Sequence, residues 1–252
     1  MQLKGKNIVI TGGSGGIGSL LAKEFSALGA SIIVMDRVAP AGSGAFIEGD
    51  LSTLEGIQAV AEKLKATKVD VLINLAGVQY FGMADAQSPQ NTALTYMVNL
   101  LAPVMLTQAV LPAMKERGFG HIVNIGSIFG SINFAHFASY SSSKAGLKGF
   151  SEALRREVTK DNIHVTYIAP RAVKTPLNSG KVMELAQLTK MKMDEPSVVV
   201  EQIVKAVINE KKDVYIGSPE KYFVRLNALL PRLVDGALKK NDLIARKLLE
   251  QK

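Results

Sequence analysis

A phenol and an ammonium stand four residues apart in Tyr140-Ser141-Ser142-Ser143-Lys144. On a helix that spacing puts both on one face, where they can share a cleft. A neighbouring ammonium favours the phenolate and pulls a tyrosine pKa down toward working pH. A tyrosine tuned in that way gives a proton to a carbonyl oxygen or takes one from an alcohol. Alone, such a pair is a frequent surface arrangement. Ser127, thirteen residues upstream, offers a hydroxyl able to hold a substrate oxygen. Gly126 and Gly130 bracket it, which fits a tight loop and a close ligand, although an isolated turn serine needs no such role.

A second group of residues suits a phosphate-bearing ligand. Thr11-Gly12-Gly13-Ser14-Gly15-Gly16-Ile17-Gly18 follows the apolar run Ile8-Val9-Ile10 and precedes a helical pattern. Glycines let the backbone approach a pyrophosphate, and a helix N-terminus offers free N–H groups. The spacing Gly12-x-x-x-Gly16-x-Gly18 differs from G-x-G-x-x-G, so the strand–turn–helix context carries the reading. Asp36 ends the next apolar run, eighteen residues after Gly18. A carboxylate there accepts hydrogen bonds from ribose hydroxyls and repels a 2′-phosphate. NAD is therefore the expected cofactor, while the adjacent Arg37 leaves NADP open.

These groups need a frame, and the rest of the chain supplies its pattern. Strand-like runs at Asn7–Thr11, Ile32–Met35, Val69–Ile73, His121–Ile125, Ile163–Ile168 and Asp213–Ile216 alternate with helical ones, with a weak strand near Phe46. Residues 90–117 read as one long helix, 140–159 as another, and Pro196–Asn209 as a third. Such alternation predicts an α/β fold of the Rossmann type, a doubly wound parallel sheet with helices on both faces. Ligands then sit at the carboxyl ends of the strands, near Thr11–Gly18, Asp36, Asn74–Gly77, Ser127 and Pro170.

The chain has 252 residues, no cysteine and three well-separated histidines, which excludes a thiol nucleophile and disfavours a metal site. The first residues resemble no secretory leader, and no run of eighteen apolar residues occurs, so a cytoplasmic location is expected. The net charge is +8, but no nucleic-acid-binding motif accompanies it.

Taken together, the motifs resemble the short-chain dehydrogenase/reductase family, from Gly5 to about Gly217. Thr11-Gly12 through Gly16-Ile17-Gly18 matches the family's cofactor turn, and Asp50-Leu51 its adenine-contacting pair. Asn74-Leu75-Ala76-Gly77 is similar to its Asn-Asn-Ala-Gly segment, with Leu75 in place of the second Asn. Asn99, Ser127, Tyr140 and Lys144 match its catalytic four. The resemblance implies that Tyr140 moves the proton and Ser127 orients the substrate oxygen. Lys144 holds the nicotinamide ribose and biases Tyr140, and Asn99 supports a water-linked relay to Lys144. The cofactor-binding set it implies is Gly12, Ser14, Gly16, Ile17, Gly18, Asp36, Arg37, Asp50, Leu51, Asn74, Ala76, Gly77, Tyr140, Lys144, Pro170, Val173 and Thr175. One departure stands out: Pro170 is followed by Arg171 where the family has Gly. Arg171 is either a surface residue or a narrowing of the pocket rim. A homodimer or homotetramer is implied, through the helices at 90–117 and 140–159.

The substrate side is apolar. By the same resemblance, residues 175–195 are the mobile substrate lid; they show no clear strand and carry Leu177, Met183, Leu185, Leu188, Met191 and Met193, which either pack on the core or suit an elongated apolar substrate. Phe129, Ile132, Phe134 and Phe137 follow Ser127. A small apolar alcohol or ketone is expected, of a 3-oxoacyl or other lipid-like kind; a cofactor-binding protein without turnover is the alternative. His136 reads as a structural residue. Residues 1–218 form the catalytic domain, and 219–252 a basic amphipathic helical extension with eight Lys/Arg against four Asp/Glu. Pro231 and Gly236 are expected to divide this extension. Its apolar face packs either on a subunit or, peripherally, on an anionic membrane.

Overall fold

A computed structural model describes residues 1–40 and 44–251. Lys252, the last residue of the extension, lies outside the described residues. Seven strands form one sheet: β1 (Asn7–Thr11), β2 (Ser31–Asp36), β3 (Ala45–Glu48), β4 (Val71–Asn74), β5 (Gly120–Ile125), β6 (Ile163–Pro170) and β7 (Asp213–Ile216). Their order is β3-β2-β1-β4-β5-β6-β7, and every neighbouring pair is parallel. Order reverses between β1 and β4, which opens a crevice at their carboxyl ends.

Side-chain alternation in the strands distributes the core over two faces. Ile8 and Ile10 of β1 point to α1 (Gly16–Ala27), where Leu21 and Phe25 are buried. Val9 points the other way, toward the layer of α2 (Leu54–Lys65). Thr53 caps α2 by accepting from the Gly56 N–H.

The stretch expected as a single helix is one continuous helix, Pro89–Arg117, with a change of winding inside it. Ser88 caps α3 (Pro89–Tyr96), a π turn spans Met97–Leu101, and α4 (Ala102–Arg117) follows. The whole stretch is long and apolar enough to cross a membrane by composition, which the absence of an eighteen-residue apolar run did not signal. Half of it is buried, with Leu106, Val110 and Met114 packed in the core. The layer is completed by α5 (Ala138–Glu157), and α1 is joined on the other face by α7 (Pro196–Ile208).

The lid segment, read from sequence only as lacking a strand, carries a helix, α6 (Lys181–Leu188), which turns Val182 and Leu185 inward. The extension forms α8 (Glu220–Leu229) and α9 (Pro231–Glu250). Pro231 opens α9, where its missing N–H costs nothing. Gly236 does not divide the segment: α9 runs through it, since one glycine costs a helix only about 1 kcal/mol.

Candidate active site

The crevice at the β1/β4 reversal is a cleft of about 630 Å³. Gly12, Gly16, Ile17, Gly18, Asp36, Arg37, Asp50, Leu51, Ala76, Gly77 and Thr175 line it, as do Gly15 and Ser52. Two glycines are required by geometry. Gly12 has φ +69° and faces Ala76, whose Cα lies 2.9 Å from where a Cβ would stand. At Gly18 a Cβ would meet the Gly12 carbonyl oxygen at 2.3 Å, so α1 can start only against a bare backbone.

Asp36 is fixed at the end of β2. Its Oδ2 accepts from the Ser14 N–H at 3.0 Å and its Oδ1 from the Arg37 N–H at 2.7 Å. Ser14 thus shapes the turn through Asp36, while its hydroxyl donates to the Val38 carbonyl. Asp50 accepts from the N–H and the hydroxyl of Ser52, and these bonds hold its carboxyl below the usual range.

Several members of the expected cofactor set lie elsewhere. Asn74 does not line the cleft: its side chain is buried, and Nδ2 donates to Asn124 Oδ1 at 2.8 Å. A β-strand turns successive side chains to opposite faces, and Asn74 takes the interior one. Pro170 and Val173 are buried backbone supports of the wall, not part of the cleft lining. Met35, Gly49, Val78, Leu94, Val98 and Pro176 line the cleft without having been expected there from sequence, as do Leu75, noted only as a departure, and Leu177, read as a lid residue. Only Leu94 and Val98 carried a signal, an i,i+4 apolar pair ending next to Asn99.

Beside the cleft, Ser127 and Tyr140 line one small cavity together with Gln79, Phe137, Asn178 and Leu185. Ser127 sits after β5, where Gly126 leaves room for the Tyr167 ring at 2.3 Å from a would-be Cβ. Its hydroxyl accepts from the Phe129 N–H at 3.1 Å. Gly130 lets this loop lie on α5, with the Lys144 carbonyl carbon 2.6 Å from a would-be Cβ.

Lys144 lies one turn after Tyr140, its Nζ 6.0 Å from the phenol ring centre and donating to the Ile125 carbonyl at 3.0 Å. Gly77 lines the cofactor cleft on the side of Asn99 and Lys144. A Cβ there would stand 3.4 Å from Asn99 Oδ1 and 3.6 Å from Lys144 Nζ. Asn99, on the π turn, is fully buried. Its Oδ1 accepts from the Val78 N–H, and its Nδ2 donates to the Val78 carbonyl and the Ser143 hydroxyl. Both amide hydrogens are used by these bonds, which fasten the Gly77–Val78 loop to α5.

The electrostatics correct the expected tuning. Burial pushes the Tyr140 phenol up, and the Ser127 hydroxyl offsets this in part. Burial also pulls Lys144 down to about 8. Desolvation disfavours either charge and dominates at both groups.

Arg171 is not a free surface residue: it lines the catalytic cavity, as the rim reading expected, and is held there by two carboxylates. Its Nε and Nη2 grip both oxygens of Asp194, and its Nη1 reaches Glu220 Oε2 at 3.1 Å. The Asp194 N–H in turn donates to the Ala172 carbonyl, and the Lys174 N–H to the Asp194 carbonyl. The two ends of the lid and the start of α8 are thereby tied at one point. His136 has φ +66° and stands near Asp242 of α9 rather than in either pocket.

A nicotinamide dinucleotide fits these residues. The bare N-terminus of α1 suits a pyrophosphate, Asp36 suits a ribose, and Gly77 and Thr175 bound the end nearest Tyr140. The chain matches the short chain dehydrogenase family model over residues 6–185. It is 34% identical to "Dehydrogenase/reductase SDR family member 7B" of Danio rerio, over 92% of this chain and 84% of that one. It resembles the crystal structure of a short-chain dehydrogenase from Streptomyces avermitilis with a TM-score of 0.78 and 28% identity, covering 97% and 99% of the two chains. A 4-hydroxyisoleucine dehydrogenase complexed with NADH gives 0.75 and 26%, covering 84% of this chain and 96% of that one. Fold, site and sequence agree, and the chain belongs to the short-chain dehydrogenase/reductase family.

Proposed function

We propose that the chain interconverts a hydroxyl and a carbonyl on a small apolar, lipid-like substrate with NAD(H) as the preferred cofactor. The observation that carries this is the shared cavity of Ser127 and Tyr140, walled by Phe129, Phe137, Val182, Leu185 and Met191 and adjoining the cofactor cleft. The bound nicotinamide supplies or accepts the hydride. Ser127 holds the substrate oxygen by a hydrogen bond. Tyr140, kept protonated by burial, donates its proton to that oxygen during reduction and regains one when an alcohol is oxidised. Lys144 sits behind Gly77, toward the ribose end of the cleft, and Asn99 keeps that wall in place. The complete set argues against a cofactor-binding protein without turnover.

The test is Tyr140→Phe, which keeps the ring and removes the proton. Ketone reduction falls about a hundredfold or more, while NADH affinity stays within a small factor. Near-normal reduction would take Tyr140 out of the mechanism.

Two finer readings belong with this one. The half-buried Leu101, Met105, Leu111 and Phe150 on α4, its π turn and α5 suit pairing of two copies in a homodimer or homotetramer. On the extension, Tyr222, Leu229, Leu230 and Leu233 are all more than half exposed, and Arg225 and Arg232 lie among them. This surface supports peripheral attachment of an otherwise cytoplasmic enzyme to an anionic membrane. Co-sedimentation with anionic but not neutral vesicles checks it.

A further inference from the structure

Behind the catalytic cavity lies a second chamber of about 270 Å³. Ile128, Ile132 and Phe134 form its floor, Thr189 and Met191 of the lid one wall, and Val234, Ala237, Leu238 and Asn241 of α9 the other. Its surface is mainly hydrocarbon. Phe129, Arg171, Ala172 and Met191 line both the chamber and the catalytic cavity, so the two adjoin through one neck. At the neck Arg171 offers its aliphatic stem, because its guanidinium is engaged by Asp194 and Glu220. The outer end opens beside Lys192, Phe223 and Ala237, which are exposed.

The chamber belongs to no part of the hydride- or proton-handling machinery. It is too apolar for a phosphate or sugar. A dry hydrocarbon wall with a neck toward the reacting oxygen suits an extended alkyl chain. Val234, Ala237, Leu238 and Asn241 of α9 and Glu220 and Phe223 of α8 complete its wall, which brings the extension up to the catalytic side of the molecule.

We propose that this chamber is the subsite for the alkyl tail of an elongated substrate whose carbonyl or hydroxyl sits at Ser127 and Tyr140, and that Ala237 and Asn241 of α9 set how well a long tail is held. The proposal rests on the functional reading above. It predicts a preference for long-chain ketones that levels off once the tail emerges past Lys192 and Phe223.

The experiment uses the full chain with straight-chain methyl ketones from butanone to dodecanone. In the wild type, kcat/KM rises about two- to fourfold for each methylene that enters the chamber. Ala237→Phe fills the chamber from an exposed helix position, and Asn241→Phe does so one turn later in case the first variant folds poorly. Both flatten the rise. Displacement of the dye Nile red by decanol is measured in parallel and needs no turnover. Decanol displaces the dye from the wild type, and in the variants its affinity is weaker by about tenfold or more. Turnover with a flat chain-length profile, or variants that keep the rise, overturns the chamber but leaves the oxidoreductase reading intact. Absent turnover with decanol binding that the variants abolish overturns the oxidoreductase reading and keeps the chamber. No displacement of the dye by decanol in the wild type, in the absence of turnover, overturns the chamber.

Discussion

Arg171 and Asp194 meet as a fork on a fork, Nε to Oδ2 at 2.9 Å and Nη2 to Oδ1 at 2.6 Å, with both side chains largely shielded from solvent. The pair spans the lid from its first residues to its last. Arg171→Gly restores the residue type that the family has after Pro170, but it leaves Asp194 without its cation. Removing one partner of a shielded pair costs about 2–4 kcal/mol. A lower Tm and faster proteolytic cutting within 175–195 are expected. An unchanged Tm would show that the clamp contributes nothing.

Lys144 links function to stability with opposite signs. In the folded chain it releases its proton near 8, against 10.5 when exposed. Below pH 8 both states are protonated and the full burial penalty opposes folding. Between 8 and 10.5 the unfolded chain binds the extra proton, so stability rises with pH. Lys144→Met is therefore expected to stabilise the protein by about 1–3 kcal/mol at neutral pH, with an advantage that shrinks above pH 8, while abolishing turnover. Denaturant melts across pH read this directly, and a variant less stable at every pH refutes it.

His121 governs the acid side. It is buried on β5, its Nε2 2.8 Å from Thr166 Oγ1, and burial, His164 and the N-terminal ammonium lower it to about 3. As pH falls below 6.5 the unfolded chain takes up a proton that the folded chain refuses. Stability then declines until about pH 3, by several kcal/mol at most. In His121→Leu that decline is expected to be shallower, as followed by urea unfolding.

Cofactor choice turns on Asp36. NAD(H) is expected to outperform NADP(H), and Asp36→Ala to weaken the preference about tenfold, the effect of losing one or two ribose hydrogen bonds and a phosphate-repelling charge. Steady-state kinetics with both cofactors checks this. A clear wild-type preference for NADP(H) would hand the dominant role to Arg37.

How far the sequence could be read depended on which interactions are local. Ile8-Val9-Ile10 announced β1 because every residue is buried and the run is flanked by turn chemistry. Ala45–Glu48 was faint because β3 is an edge strand with only its middle residues half-buried. The Tyr140–Lys144 spacing gave the proximity of the two groups but not their protonation, which depends on burial contributed by distant elements. Asn74 was placed in the cleft on motif grounds, while strand alternation sends it into the interior. Arg171 could not be assigned because its partners lie 23 and 49 residues onward. The π turn at Met97–Leu101 left no trace in apolar periodicity, which a single extra residue shifts by less than a turn.

The cofactor cleft is lined by residues no later than Leu177, whereas the lid and α9 contribute Val182, Leu185, Met191, Val234 and Leu238 to the other two cavities. The cofactor cleft thus draws on the amino-terminal two thirds alone, whereas the two other cavities combine Ile128, Phe129, Phe134 and Phe137 of that part with residues of the carboxyl-terminal third. Grafting the segment after Gly217 from one relative onto another should transplant appetite for a substrate without disturbing the redox partner.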